Sequence, residues 1–192
     1  MTEATFNTFR LVGGTALSLQ LGHRKSIDID LFSDVEYGTL DFDKLDHLLR
    51  DLFPYVETTS EGPVALGRSY MVGQSEEKII KLDLFYADPY MEPAIDTEGI
   101  RMASLAEITA MKIDVVDRGG RKKDFWDLHE LLDHYTIMQM IDLHKLRYPY
   151  SHDKQNILKQ FTDFSTADDE FDPICLRGKH WELIKLDIVE AL

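Results

Sequence analysis

Residues 11–32 read LVGGTALSLQLGHRKSIDIDLF, and the fold turns on how this stretch is read. Leu11-Val12 runs into Gly13-Gly14, and thirteen residues separate Gly14 from Asp28. Asp28 and Asp30 then stand at i, i+2, flanked and separated by Ile27, Ile29, Leu31 and Phe32. Side chains alternate faces along a strand. The spacing therefore predicts a central strand over 27–32, with both carboxylates on one face and the isoleucines turned to a core. Two carboxylates roughly 7 Å apart on one strand face repel each other unless a positive charge lies between them. A hard cation such as Mg2+ suits that position, because it is held by one or two carboxylates together with substrate phosphates. The Gly-Gly turn leads into a helix expected from about residue 15 to 22, whose N-terminal N–H groups can receive phosphate oxygens. A phosphate cradle beside an acid pair is the minimum equipment for phosphoryl or nucleotidyl transfer. An EF-hand is excluded, since a loop starting at Asp28 would have Ser33 where the turn glycine belongs and Thr39 where the bidentate glutamate belongs.

Outward from this stretch, Asp41 reads as the N-cap of a helix with Leu45, Leu48, Leu49 and Leu52 on its apolar side, stopped by Pro54. Residues 55–86 read as strands, with Glu61-Gly62-Pro63 and Gly73 as breakers. Ile79 to Tyr86 alternates, placing Lys81, Asp83 and Phe85 on one face and Ile80, Leu82 and Leu84 on the other. Residues 87–99 carry two prolines and a glycine and read as a loop. Ser104-Leu105-Ala106-Glu107 has the form of a capping box opening a helix that ends at Gly119-Gly120. A further helix is expected near Asp124, with Phe125, Leu128, Leu132 and Tyr135 at helical spacing, and others over 136–147, 153–164 and 178–192. The expected architecture is α+β: a small mixed sheet over 1–103 as a catalytic core, and a helical region over 104–192 packed on it.

Lys112 stands mid-helix among Ile108, Met111, Val115 and Val116, where a lysine needs a partner for its charge or must snorkel. Arg24 and Ser26 just precede the acid strand, and an arginine there suits bidentate phosphate binding or a surface acid equally well. Thr15 can give its hydroxyl to a phosphate or cap the helix. Asp124 and Asp127, at i and i+3 on a helix start, favour its dipole and would cap it. Asp83 reads either as a chemical group or as a polar residue paired with Lys81 at a strand edge. The histidines show no metal-binding spacing, and no GK[ST] follows the Gly-Gly turn, which excludes a Walker A loop.

Taken together, Gly13-Gly14-Thr15 with Leu17, Arg24, Ser26, Asp28, Asp30, Leu31 and Phe32 resembles the AbiEii/AbiGii toxin branch of the DNA polymerase β-like nucleotidyltransferase superfamily. A second block strengthens the resemblance: Lys112, Arg118 and Lys123-Asp124-Phe125-Trp126-Asp127-Leu128 match that branch's helical lysine, arginine and (Arg/Lys)-Asp-x-x-Asp-Leu motif. The resemblance implies a transferase moving NMP from an NTP to an acceptor, RNA such as tRNA among the candidates, in a toxin–antitoxin or phage-defence setting with a cognate antitoxin. It implies Asp28, Asp30 and Asp83 as ligands of Mg2+ or Mn2+, and Gly13, Gly14, Thr15, Arg24, Ser26 and Lys112 on the nucleotide. Lys112 and Asp124 join the acids as catalytic residues. The alternative is a module that binds nucleotide or antitoxin and no longer catalyses.

Composition sets bounds on partners and compartment. The 192 residues carry 21 basic and 35 acidic side chains, a net charge of −14. That excludes broad non-specific affinity for nucleic acid, which rests on phosphate neutralisation. A local basic run, Arg118, Arg121, Lys122 and Lys123, is the expected landing place for an RNA acceptor, or else a set of solvated helix ends. Cys175 is the single cysteine, so no intramolecular disulfide is expected. No apolar run approaches the roughly 18 residues of a membrane span, and no secretory signal is visible, so a cytoplasmic protein is expected.

Overall fold

The structure, a computed structural model, describes residues 3–58 and 65–192, so the turn expected at Glu61-Gly62-Pro63 lies outside the described residues. The chain divides into two compact units: Met1–Thr15 with Ile27–Ala103, and Ala16–Ser26 with Ser104–Leu192.

The first unit holds the sheet, and the α+β class is as expected. Among the described residues it has seven strands: β1 (Arg10–Val12), β2 (Ile29–Ser33), β3 (Tyr55–Thr58), β4 (Gly67–Ser75), β5 (Lys78–Tyr86), β6 (Ile95–Thr97) and β7 (Ile100–Met102). Their order is β3-β4-β5-β2-β1-β7-β6. β2 runs parallel to β5, and β1 parallel to β7; the other pairs are antiparallel. Leu82 and Leu84 of β5 are buried, as are Leu31 of β2 and Leu11 and Val12 of β1. Helix α1 (Gly13–Leu21) starts in this unit and continues in the second. Helix α2 (Phe42–Leu52) opens at Asp41, whose side chain accepts from the Lys44 amide, and buries Leu45 and Leu49.

Four local expectations are corrected. β2 starts at Ile29, not Ile27, and Ile27 is 72% exposed. The Asp28 carbonyl accepts from the Thr15 hydroxyl, and the ladder with β5 begins one residue later, Ile29 opposite Leu82. Gly73 does not break a strand: it lies inside β4, where a Cβ would fall 1.9 Å from the Lys78 carbonyl oxygen. A bulge follows it, and the chain reverses at Glu76-Glu77. Asp83 is not at a sheet edge, because β5 lies between β4 and β2. The loop expected over 87–99 contains β6, which pairs with β7 through Glu98-Gly99. Both turn residues have positive φ (53° and 78°), the conformation whose twist suits a two-residue hairpin.

The second unit is helical: α3 (Leu105–Asp117), α4 (Lys122–Leu131), α5 (Ile137–Arg147), α6 (Lys154–Gln160), α7 (Ser165–Asp168) and α8 (Trp181–Glu190). Ser104 caps α3 by accepting from the Glu107 amide, and Gly119, with φ 89°, follows its end as expected. The Glu107 carboxylate bonds Arg147 of α5 at 2.6 Å, both side chains essentially sealed from water. Removing one partner of such a pair leaves an uncompensated buried charge. Glu107→Gln is therefore expected to destabilise the protein by about 3–5 kcal/mol, and the double variant Glu107→Leu with Arg147→Met to recover most of that. Chemical denaturation of the wild type and both variants checks this; a single variant as stable as the wild type would contradict it.

Candidate active site

The site of the first unit is a row of residues across the sheet. Val12 is the register partner of Asp30, Asp30 of Asp83, and Asp83 of Ser69. Parallel neighbours lie about 4.8 Å apart, so Asp30 and Asp83 stand side by side on one face. Gly13 follows Val12 with φ +67°, and a Cβ built on it would lie 2.5 Å from Asp30 Oδ2. The turn is thus glycine for two reasons: its left-handed backbone and the carboxylate resting against it. Asp28 precedes the strand rather than lying in it, so the shared strand face expected for Asp28 and Asp30 is replaced by the cross-strand pair Asp30 and Asp83.

One oxygen of Asp83 is paired and the other is not. Lys81 Nζ lies 2.6 Å from Oδ2. Oδ1 is buried with no hydrogen-bond partner. A buried bare carboxylate oxygen is costly, and a second carboxylate beside it raises that cost. A divalent cation would satisfy both, so Asp30 and Asp83 fit the metal that the motif implies. Among the described residues no group of three His, Cys, Asp or Glu side chains stands in ligand geometry. A cation held by these two carboxylates would take its remaining coordination from substrate phosphates and water, the usual habit of Mg2+.

The second unit gathers the other motif residues around Asp127. Its carboxylate receives Arg24 Nε at 2.6 Å and Nη2 at 2.8 Å, a bidentate pair. His23 Nε2 lies 2.7 Å away and Lys112 Nζ 2.6 Å away. Lys112 also reaches Asp124 Oδ1 at 2.8 Å, while Asp124 Oδ2 accepts from the Arg121 amide at the start of α4. All five side chains are buried. Burial alone would raise the Asp127 pKa, but Lys112, His23 and Arg24 outweigh it and hold the carboxyl well below the usual carboxylate range. Asp124 is likewise lowered, by Lys112 against burial. Lys112 is raised, because the two carboxylates overcome its own desolvation. Lys112 therefore neither snorkels nor lacks a counter-charge. Backbone pairing supports the cluster, with Lys25 N donating to Ile174 O and Leu176 N to His23 O.

The basic run is not one patch. Arg118 is exposed and pairs with Asp114 on its own helix. Arg121 is exposed near Asp124. Lys122, expected at an RNA surface, is instead buried: its Nζ lies 3.0 Å from Asp172, above the Trp181 ring, and its amide donates to Glu170. The acidic 168–172 segment folds back onto it. Arg121 and Lys123 line an open cavity of about 460 Å3 with Asp169, Glu170, Phe171 and Pro173. Sequence reasoning missed His23 and ranked Asp127 as a helix cap. The available signal was the His23-Arg24 pair directly after Gly22, a helix-stopping glycine with φ 63°.

The cluster makes a pH prediction. Asp127 and Asp124 have depressed folded pKa values, so their contribution to stability is complete above the unfolded value near pH 4 and lost as pH falls below it. Asp127→Asn is expected to cost about 3–5 kcal/mol at neutral pH and to flatten the acid limb of the stability curve. Urea melts from pH 7 to pH 2 test this; equal acid slopes for both proteins would contradict it.

Comparison with known proteins agrees with the residues. The profile of the family described as nucleotidyl transferase AbiEii toxin, type IV TA system, matches residues 1–191. The protein aq_aa25 of Aquifex aeolicus is 30% identical over 175 residues, 85% of this chain and 77% of its own. Among solved structures, MenT4, a nucleotidyltransferase toxin of Mycobacterium tuberculosis, aligns with a TM-score of 0.62 at 14% identity, over 96% of this chain and 74% of its own. JHP933 from Helicobacter pylori aligns at 0.59 and 20% identity, over 97% and 83%. At those identities the solved structures show the shared fold, and the family match over nearly the whole chain shows the family. This chain belongs to the AbiEii family of toxin nucleotidyltransferases from type IV toxin–antitoxin systems.

Proposed function

We propose that the chain transfers NMP from an NTP to an acceptor in a Mg2+- or Mn2+-dependent reaction centred on Asp30 and Asp83, with Asp28 assigned to it by the motif resemblance alone. The observation that carries this reading is the bare, buried Oδ1 of Asp83 beside Asp30 in register. A module that bound only an antitoxin would have no use for two half-buried carboxylates side by side, and pyrophosphate release separates transfer from nucleotide binding alone. When bound, the cation would supply charge neutralisation to the phosphates and lower the pKa of the attacking hydroxyl. The acceptor oxygen bonds to the α-phosphorus, the bond to the β-phosphate bridging oxygen breaks, and pyrophosphate leaves. Asp83 is the proposed base for the acceptor proton. Gly13 lets the Asp30 carboxylate lie against the turn, and the Gly14 and Thr15 amides at the start of α1 face the incoming phosphates.

The roles proposed for Arg24, Ser26, Lys112 and Asp124 rest on the motif resemblance. In the second unit Arg24, Lys112 and Asp124 already satisfy buried charges. Loss of activity in a Lys112 variant would thus report folding as much as phosphate contact. An RNA acceptor such as tRNA is proposed, with Arg118, Arg121 and Lys123 as its contacts and Lys122 withdrawn from that set. A cognate antitoxin and a cytoplasmic location are proposed with the family's role. Among the described residues no helix is long and apolar enough to cross a membrane.

The test is incubation of the protein with each labelled NTP, Mg2+ and total RNA or total protein, reading transferred label and pyrophosphate. Label is expected with one NTP and none in EDTA. Asp30→Asn and Asp83→Asn should abolish transfer while the proteins stay folded. Gly13→Ala should cost roughly 1–3 kcal/mol of stability from strain and about 100-fold in rate from displacing Asp30. Nucleotide binding without pyrophosphate release, or unchanged turnover in both Asn variants, would sink the assignment.

A further inference from the structure

Lys81 is a charged residue on the acid face to which the motif assigns no role. It lies two residues before Asp83 on β5, so both side chains leave the same face of the sheet. Its ammonium holds Asp83 Oδ2 at 2.6 Å, with 42% of the Lys81 side chain exposed. An ion pair this wet adds little to stability, so holding the fold together does not account for it. What it does change is the charge of the acid pair. Asp30 and Asp83 stand in register, and Lys81 already neutralises one of them. The other oxygen of Asp83 has no partner at all. A divalent cation approaching this carboxylate meets a positive charge already attached to it.

We infer that Lys81 is an internal counter-cation of the acid centre, holding Asp83 Oδ2 until a divalent cation and NTP arrive together and then exchanging that carboxylate for a triphosphate oxygen. The inference rests on the metal-dependent reading above. It makes Lys81 a positioning residue that couples two binding events. Metal alone must compete with the ammonium for Asp83. Metal with NTP need not, because the phosphates offer Lys81 an equivalent anion. The affinity of each ligand then rises when the other is present, as linkage requires. A lysine suits this role better than an arginine, since its compact ammonium on a flexible stem can change partners without a fixed planar geometry. In the resting protein the same contact keeps two adjacent carboxylates from repelling at full strength.

The experiment measures Mn2+ binding, by electron paramagnetic resonance of the unbound ion. It compares wild type, Lys81→Met and Lys81→Arg, each with and without the α,β-methylene analogues of the four NTPs. Wild type is expected to bind Mn2+ weakly alone and more tightly with one analogue. Lys81→Met should bind Mn2+ alone about tenfold more tightly than wild type, and the enhancement by the analogue should shrink by a similar factor. Lys81→Arg, which keeps the charge, should stay close to wild type without the analogue. Melting in EDTA verifies that each variant is folded, and Lys81→Gln replaces the Met variant if that one is not. Mn2+ affinity in the neutral variants equal to or weaker than wild type, with the analogue enhancement intact, would overturn the role of Lys81 while leaving the metal-dependent site standing. Absence of Mn2+ binding by wild type with every analogue would overturn the site itself and this inference with it.

Discussion

Two carboxylates on adjacent central strands are the constraint around which the first unit is built. Asp30 and Asp83 stand in register on β2 and β5, strands whose neighbouring residues Leu31, Leu82 and Leu84 are buried. Strand alternation forces the choice: turning the leucines to the core turns the aspartates to the opposite face. A one-residue slip of either strand would bury the acids and expose the leucines, so the hydrophobic pattern holds the acids in place. The surroundings follow from that placement. The turn after β1 must be glycine because Asp30 Oδ2 occupies the space a Cβ would take. The Thr15 hydroxyl fixes the backbone at Asp28, and Lys81 takes one oxygen of Asp83. Like charges held this close favour unfolding. Under the proposed metal-dependent reading, a bound cation would reverse the sign of that interaction.

The second unit solves the opposite problem. Asp127, fully buried, is surrounded by Arg24, Lys112 and His23, and its pKa is depressed because the cations outweigh the burial. Replacing such a cluster with apolar side chains is often neutral or stabilising, so its presence is weak support for stability as its purpose. It does determine which segments must lie together. Arg24 comes from the segment after α1, Lys112 from α3 and Asp127 from α4, and the buried Arg24 finds its carboxylate only when α4 lies against that segment. The (Arg/Lys)-Asp-x-x-Asp-Leu motif thus has a structural meaning within this unit: its first aspartate caps α4 and its second collects the buried cations.

What was legible in the sequence was local. The Asp41 and Ser104 caps and the stop at Gly119 are each decided by residues within four positions, and each appears where expected; the Gly-Gly turn was readable as a turn, but the carboxylate that requires Gly13 comes from Asp30, far along the chain. The alternation of β5 was readable for the same reason. The β6–β7 hairpin was not, because three-residue strands carry too little pattern and Glu98 is an unusual choice for a left-handed turn position. Gly73 was misread because a glycine in a strand and a glycine in a turn look alike until the Lys78 carbonyl pressed against it is seen. The site residues divide the same way. Spacing nominated Asp28 and Asp30 together, but Asp28 lies outside β2 and only Asp30 stands on its face. The pairing of Asp30 with Asp83, of Arg24 with Asp127 and of Lys122 with Asp172 joins residues fifty or more positions apart, and no periodicity encodes which acid meets which base.

Those long-range pairs alter how the net charge of −14 bears on the reaction. The cations that spacing nominates for phosphate contact are engaged with carboxylates: Arg24 with Asp127, Lys112 with Asp124 and Asp127, Lys122 with Asp172, and Arg118 with Asp114. A triphosphate brings several negative charges and would have to break such pairs to be neutralised by side chains alone. Breaking a buried pair leaves an uncompensated carboxylate, which is strongly destabilising. Two sources of positive potential escape that exchange. Backbone N–H groups at the start of α1 carry no counter-ion, and the acid pair Asp30 and Asp83 gains rather than loses by receiving cations. Under the proposed metal-dependent reading, an acidic chain of this design would take its nucleotide as a metal complex, with the charge that binds the phosphates carried in by the ligand.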